Sequence, residues 1–590
     1  MIPQLNEGTG SLAAGPEGRR APVAALSGVT FTYRGGRKPA LRDVNLTLNP
    51  GEFVVILGAS GAGKSTLCYC LNGLIPHFLR GHLEGDVQVF GVSTRGRRVN
   101  QLAELVGLVF QDFEAQLFST NVELEVAFGP ENFGVSVEEI RRRVAEALAT
   151  VGLTGLERRE PATLSGGQKQ RLAIASVLSI HPRLLVMDEP TTDLDPVGKE
   201  GVFAVARDLR ARDDVTLVIA EHEVEEAAVA DRVVVLEDGR VVADGPPSEV
   251  LTRPDWLEAR GVQPLGAAQL LARLGEEPAL DVEEAVRRLR AAGWAIDPEA
   301  YRRLVEADAR RAESYGEPII EVRDLEHRYA NGLLALAGVN LTIRSGEFVA
   351  VVGQNGSGKT TLVKHMNGLL SPTAGEVRVA GVSTAGQSVL QLGRTVGYVF
   401  QNPDHQIFAE TVFDEVAFGP RNHGVTGAEL RQRVTEALEA VGLAGREQED
   451  PFAMTKGERQ RVAVASVLAT RPRVIILDEP TTGLDYREQR RMMDLVRRLS
   501  EAGHTILFVT HTMWVVAEYA HRTVVVRDGR IWMDGPTRQV MAREPELLEA
   551  HLRPPQLVRI SNRLGGTLLS LDECLAVLRR GDSRLAREEA

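Results

Sequence analysis

Gly58-Ala59-Ser60-Gly61-Ala62-Gly63-Lys64-Ser65-Thr66 recurs later in the chain as Gly353-Gln354-Asn355-Gly356-Ser357-Gly358-Lys359-Thr360-Thr361. Each copy fits G-x-x-x-x-G-K-[ST], follows a continuous apolar run (Glu52–Leu57 and Glu347–Val352) and opens a helical pattern. Strand, glycine turn and helix start are the context that separates a phosphate-cradling loop from a chance match. Glycines let successive backbone N–H groups converge on one phosphate cluster, and the helix dipole adds to them. Lys64 and Lys359 supply a cation to the β/γ-phosphates, and the hydroxyls of Ser65 and Thr360 are placed for Mg²⁺. Every residue of both loops is therefore expected to line ATP.

The repeat runs on at nearly constant spacing. Gln111 returns as Gln401, Asp188-Glu189 as Asp478-Glu479, and His222 as His511. A period of that length is a whole domain. Leu184–Met187 and Val474–Leu477 are unbroken apolar runs ending in acids, as central parallel strands should be. Asp188 and Asp478 stand where a Mg²⁺-binding acid belongs. Glu189 and Glu479, one residue on, are the expected general bases that polarise a water for attack on the γ-phosphate.

Further short strands read over Gly28–Tyr33 and Leu41–Leu48, matched by Ile319–Tyr329 and Leu336–Ile343. Val137–Gly152 and Ala428–Gly442 carry helical periodicity and predict an inserted helical subdomain in each half. Leu280–Glu284 aligns with Leu569–Glu573, with capping spacings at Asp281/Glu284 and Ser570/Glu573. The expected architecture is α/β: two tandem P-loop ATPase domains, 23–262 and 316–553. Each has an antiparallel β-subdomain, a helical subdomain and a short helical appendage, 263–315 and 554–590. Residues 1–22, rich in Gly, Pro and Ala, read as a disordered leader.

The 590 residues are 43% hydrophobic and 25% charged, enough to bury a core in each half. With 68 basic and 80 acidic residues the net charge is −12, which argues against nucleic acid as a partner. Cys68, Cys70 and Cys574 are too scattered for a disulfide framework or an iron–sulfur cluster. No apolar stretch approaches the length of a membrane span, so a membrane role has to be borrowed from a partner.

Between loop and acid strand lies Leu164-Ser165-Gly166-Gly167-Gln168, a second helix start able to meet a phosphate. It resembles the signature sequence of ATP-binding-cassette (ABC) ATPases, and the resemblance covers about 23–255 and 317–545. It implies that Gln111 and Gln401 are the Q-loop glutamines beside the metal and the hydrolytic centre. Thr192-Asp193-Leu194-Asp195 and Thr482-Gly483-Leu484-Asp485 match the D-loop, and His222 and His511 the switch histidine. Tyr33 and Tyr329 resemble the aromatic that stacks on adenine. The two halves then form an intramolecular ATPase dimer, with Ser165, Gly166, Gly167 and Gln168 serving the ATP held by the other half. The second signature departs from the pattern: Met454-Thr455-Lys456-Gly457-Glu458 keeps Thr455 and Gly457 for the nucleotide. Lys456 replaces a glycine and Glu458 a glutamine, so strain and repulsion are expected there.

The segments after Gln111 and Gln401 end in Ala-Phe-Gly-Pro at 127–130 and 417–420. They look like the ATPases of energy-coupling-factor (ECF) transporters, and Asn72–His77 resembles versions linked to thiamine-precursor uptake. The resemblance implies an energy-coupling subunit bound peripherally to the cytoplasmic side of the cell membrane. Its partners would be a transmembrane T-component and a substrate-binding membrane subunit, and its cargo a vitamin, vitamin precursor or metal ion. The alternative is a soluble tandem ABC ATPase acting on ribosomes. Against it stand the absence of a Cys-rich cluster and the short 263–315 connector.

Overall fold

The computed structural model describes residues 21–192, 194–211 and 215–581. Almost all of the expected leader, and Asp193 of the D-loop, lie outside the described residues. The chain divides into two compact units at Pro264/Leu265.

In the first unit a six-stranded sheet runs in the order Arg240–Gly245, Arg232–Glu237, Phe53–Leu57, Thr216–Ala220, Leu184–Asp188, Val106–Val109. All neighbours are parallel except the outer pair Arg232–Glu237/Arg240–Gly245. Phe53–Leu57, Leu184–Asp188 and Thr216–Ala220 are buried at every residue, which is why they read as apolar runs without alternation. Register decides the function: Val109 pairs with Met187, Met187 with Ile219, and Ile56 with Ala220. The strands therefore end level, and the segments that follow them emerge at one edge. A four-stranded antiparallel sheet, Leu41–Leu48, Ala24–Tyr33, Gly81–Val89 and Val92–Ser93, forms the β-subdomain. Helices Val122–Asn132, Val137–Thr150 and Gly166–Leu178 form the helical subdomain, the first two capped by Asn121 and Ser136 side chains.

The second unit repeats this plan. Its sheet runs Val396–Val399, Val474–Asp478, Thr505–Val509, Phe348–Val352, Arg522–Arg527, Arg530–Pro536, beside an antiparallel sheet containing Pro318–Arg328 and Leu334–Arg344. Val399 pairs with Leu477, Leu477 with Phe508, and Val351 with Val509, so its strands also end level.

The two appendages come together within the second unit as one body. Trp294–Ile296 pairs antiparallel with Leu578–Arg580. Leu270, Leu271, Ala285, Val286 and Leu289 share a core with Ile560, Leu568, Cys574 and Val577. Gln556 Oε1 accepts from the Ala267 N–H at 2.9 Å, and its Nε2 donates to the Leu280 carbonyl at 3.1 Å. Asp281 and Ser570 cap their helices through the N–H groups of Glu284 and Glu573. The two glutamates turn to arginines: Glu284 to Arg288, and Glu573 to Arg538. Arg538 is 5% exposed; it also reaches Asp308 at 2.7 Å and the Thr567 carbonyl at 2.8 Å, and so fastens the appendage to the sheet unit.

Removing one partner of such an ion pair strands a desolvated charge. Glu573→Ala should destabilise the second unit by about 3 kcal/mol, and Arg538→Met/Glu573→Met, which removes both charges, by less. Urea unfolding of the full chain measures both.

Candidate functional site

Each phosphate loop sits where the central strand meets its helix. Gly63 and Gly358 precede helices Lys64–Leu71 and Lys359–Met366 with φ of 105° and 106°. A Cβ there would lie 2.6 Å from the Ala40 carbonyl oxygen, or 2.7 Å from that of Ala335, so backbone angle and close approach both require glycine. Lys64 Nζ donates to the Gly58 and Ala59 carbonyls at 3.0 and 3.3 Å; Lys359 Nζ donates to Gly353 and Gln354 at 2.9 and 2.8 Å. Each ammonium is thus buried and aimed along its own loop.

Ser65 Oγ donates to Asp188 Oδ1 at 3.0 Å, and Thr360 Oγ1 to Asp478 Oδ1 at 3.2 Å. Burial, opposed by the Ser65 bond and reinforced by neighbouring Glu189, pushes Asp188 up to about 6. Asp188 Oδ2 is buried with no hydrogen-bond partner. An orphaned carboxylate oxygen beside a hydroxyl is a hard-oxygen donor set that fits Mg²⁺. Asp478 differs: its Oδ2 accepts from Tyr398 Oη at 2.7 Å. Tyr398, which the sequence reading missed, occupies the register of Leu108; the only signal was Val-Gly-Tyr-Val against Val-Gly-Leu-Val.

Glu189 and Glu479 follow those acids with φ of 48° and 49°, a conformation that non-glycine residues rarely hold. Their N–H groups donate to the carbonyls of Ala220 and Val509 on the next strand, which fixes where the carboxylates point. Glu189 is fully engaged. Its Oε1 meets His222 Nε2 at 2.8 Å and Lys64 Nζ at 3.3 Å, and its Oε2 accepts from Gln111 Nε2 at 2.8 Å. Burial opposes its ionisation, but His222 and Lys64 hold it down at about 2. Glu479 Oε1 meets His511 Nδ1 at 3.1 Å, while Oε2 is buried without a partner. Gln401 is exposed and makes no bond to that oxygen. Burial again opposes ionisation, and His511 first, then Lys359, keeps Glu479 below the usual range.

The fully buried Glu221 was also missed. Its Oε2 accepts from the His222 N–H at 3.0 Å and its Oε1 from the Thr191 hydroxyl at 2.5 Å, which ties the histidine segment to the acid segment. Its counterpart in the second half is Thr510, whose hydroxyl accepts from the Thr512 N–H at 3.0 Å. Tyr33 and Tyr329 reach the phosphate helices through Thr66 and Thr361, hydroxyl to hydroxyl, at 3.0 and 2.9 Å.

Ser165 and Thr455 start their helices with nearly the same backbone, φ/ψ −67/160 and −65/159, and both form reciprocal caps with Gln168 and Glu458. The strain expected at Lys456 is absent, since neither Gly166 nor Lys456 has positive φ. A Cβ on Gly166 would come no nearer than 3.9 Å to Leu194. The repulsion expected from Glu458 is met within its own half. Burial raises its carboxyl, but the Thr455 N–H and the Arg446 guanidinium at 2.5 Å outweigh that and keep it ionised.

A family model described as ABC transporter matches residues 41–192 and 336–482. A putative ABC transporter ATP-binding protein of Caldanaerobacter subterraneus subsp. tengcongensis is 55% identical over 94% of this chain and 98% of its own length. One from Methanosarcina acetivorans is 41% identical over 92% and 91%. The solved structure of cbiO1 from Clostridium perfringens, described as part of the ABC transporter complex cbiONQ, is 34% identical; the match covers 41% of this chain and 97% of that one, with a TM-score of 0.37.

The signature helices yield a direct test. Gly166→Lys should change stability by less than about 0.5 kcal/mol, as an open surface substitution does. Gly167→Ala places a Cβ 3.0 Å from Gly198 Cα, and should cost about 1–3 kcal/mol by overpacking. Denaturation midpoints of the two variants decide it.

Proposed function

The chain belongs to the ABC transporter family of ATP-binding, ATP-hydrolysing proteins, and we propose that it is the energy-coupling subunit of an ECF-type uptake system. In this reading it sits on the cytoplasmic face of the cell membrane through a transmembrane T-component and a substrate-binding membrane subunit. The cargo is a vitamin, vitamin precursor or metal ion. Among the described residues no helix is long and apolar enough to cross a membrane.

The observation that carries the reading is the build of the two segments after the Q-loop glutamines. Buried Glu125 accepts from the N–H groups of Phe118 and Ser119 at 3.0 and 2.7 Å; Glu415 accepts from Phe408 and Ala409, both at 3.0 Å. These bonds hold Phe118 and Phe408 out, 61% and 59% exposed, each edge-on to a second exposed ring, Phe128 or Phe418. In the second half the ring pair borders a groove of about 340 Å³ with Leu369, Val389 and Leu390 along it. Exposed aromatic pairs held in place by buried acids suit docking of an apolar helix.

The ATP chemistry follows from the site. Lys64 and Lys359 bind phosphate oxygens, and Tyr33 and Tyr329 hold the base. Ser65 and Asp188 with Gln111, and Thr360 and Asp478 with Gln401, would hold a Mg²⁺ ion, which would supply charge neutralisation on the phosphates. Glu189 and Glu479 accept the proton of the attacking water, and His222 and His511 orient those carboxylates. Thr455 and Gly457 contribute the second signature's helix start as Ser165 and Gly167 do the first. The two halves work as a pair.

Co-expressed with its membrane partners, the chain should move to the membrane fraction and be released by alkaline wash. Resistance to the wash would contradict peripheral attachment. Phe118→Asp or Phe408→Asp should abolish transport in reconstituted vesicles while ATP hydrolysis by the isolated chain stays within about twofold, as for a surface change remote from a catalytic site. Loss of nucleotide binding instead would remove the docking assignment.

Glu479 has the free acceptor oxygen and Glu189 has none, so the second half's acid is the better placed base. Removing a general base costs about 10²–10⁴-fold at its site. Glu479→Gln should therefore abolish most steady-state hydrolysis, and Glu189→Gln should leave more of it. Equal losses would mean that the two acids are equivalent in turnover.

A further inference from the structure

Behind Tyr329 the second half carries two buried imidazoles where the first carries Phe31 and Cys70. His365 lies on helix Lys359–Met366, fully buried, and His327 lies on the strand that leads to Tyr329. His365 Nδ1 is 2.7 Å from the Thr361 carbonyl oxygen. A carbonyl only accepts, so that nitrogen bears the proton, and the neutral ring's Nε2 is an acceptor. Nε2 faces His327 Nδ1 at 3.1 Å, which must then be the donor; the Ser371 carbonyl stands 3.2 Å from the same Nδ1.

The chain of contacts closes on itself. His327 packs edge-on to Tyr329 with centroids 4.7 Å apart, and Tyr329 Oη bonds Thr361 Oγ1 at 2.9 Å. Thr361 is thus held at its carbonyl by His365 and at its hydroxyl by Tyr329, directly after the Mg²⁺-side hydroxyl of Thr360. In the first half Tyr33 bonds Thr66 in the same way and packs on Phe31, and Phe31 and Cys70 are both fully buried. Neither of those side chains takes up a proton near neutral pH.

We infer that His327 and His365 are positioning residues that make nucleotide binding by the second half, and not by the first, weaken as the medium acidifies. The inference rests on Tyr329 being the base-stacking residue. A proton added to His365 Nε2 sets two N–H groups against each other across 3.1 Å and opens the link. Burial, opposed by the Thr361 carbonyl and aided by His327, holds His365 below the ordinary imidazole value. Folded His365 then binds fewer protons than it does in the unfolded chain. Its contribution is complete above that value and is lost as the pH falls below it. The groups that act on the pair are the Tyr329 ring and the carbonyls of Thr361 and Ser371; among the described residues no carboxylate acts on His365.

The test uses the full chain, Mg²⁺ and a fluorescent ATP analogue. A Lys64→Ala background silences the first half, and binding is followed from about pH 8 to about pH 5.5 across the imidazole range. The dissociation constant should rise about threefold to fivefold, since one unit of coupling gives its full tenfold only well below both pKa values. With His327→Phe/His365→Cys added it should stay within about twofold, since protonation of the triphosphate itself is common to both chains. The reciprocal Phe31→His/Cys70→His exchange, in a Lys359→Ala background, should import the acid sensitivity into the first half and does not depend on the first pair of variants folding. Identical profiles with and without the histidines, or tighter binding at low pH, would overturn the inference. Tyr329→Ala binding the analogue as well as its parent would instead overturn the base-stacking assignment on which it rests.

Discussion

Everything these halves do with nucleotide depends on parallel strands that end level. Parallel pairing needs a crossover between neighbours, so residues far apart in sequence arrive side by side. Ile56 pairs with Ala220 and Met187 with Val109, and within two residues of those pairs the chain delivers Gly58, Asp188, His222 and Gln111 to a single edge. A slip of one residue in any strand would turn the delivered side chain to the other face. The buried runs around Val54–Ile56 and Val349–Val351 hold that register, with both faces covered by apolar neighbours. The positive φ at Glu189 and Glu479 is the local cost of turning a carboxylate toward the loop straight after a buried strand.

Much of this was legible in the sequence because it is local. A glycine loop between an apolar run and a helix, or an acid pair closing a strand, is written in adjacent residues. What did not show are relations between distant positions. Tyr398 meets Asp478 only because neighbouring strands bring them together, and a lone tyrosine in a strand gives no sign of it. Lys456 looked harmful because glycine suggested positive φ; in the structure that position is already helical and exposed, with its side chain lying over Gly483. Glu458 looked repulsive to a triphosphate, with Lys456 beside it as the compensating charge; the partner it has is Arg446, from a different segment. The two appendages were recognisable as matched copies, but three-residue strands such as Trp294–Ile296 leave no periodic trace of their partner.

The two halves share a backbone plan and diverge in their polar wiring. Glu189 is bound on both oxygens, whereas Glu479 keeps one free. Asp188 keeps an oxygen free, whereas Asp478 has both taken by hydroxyls. Glu221 becomes Thr510, and Phe31 and Cys70 become His327 and His365. Each exchange swaps polar for apolar, or ionic for neutral, behind a residue that both halves retain. Duplicated catalytic parts are thereby set in unlike electrostatic surroundings while the strands that carry them stay the same.

The shared appendage core also sets an order of assembly. Leu270, Val286 and Leu289 emerge during synthesis long before Ile560, Cys574 and Val577, the side chains that cover them. Contacts of such wide sequence separation form late, and until then an apolar face stays open to association with other chains. A chain that has been made only as far as Pro536 has every strand of its second ATPase sheet, yet its first appendage still lacks the side chains that cover it.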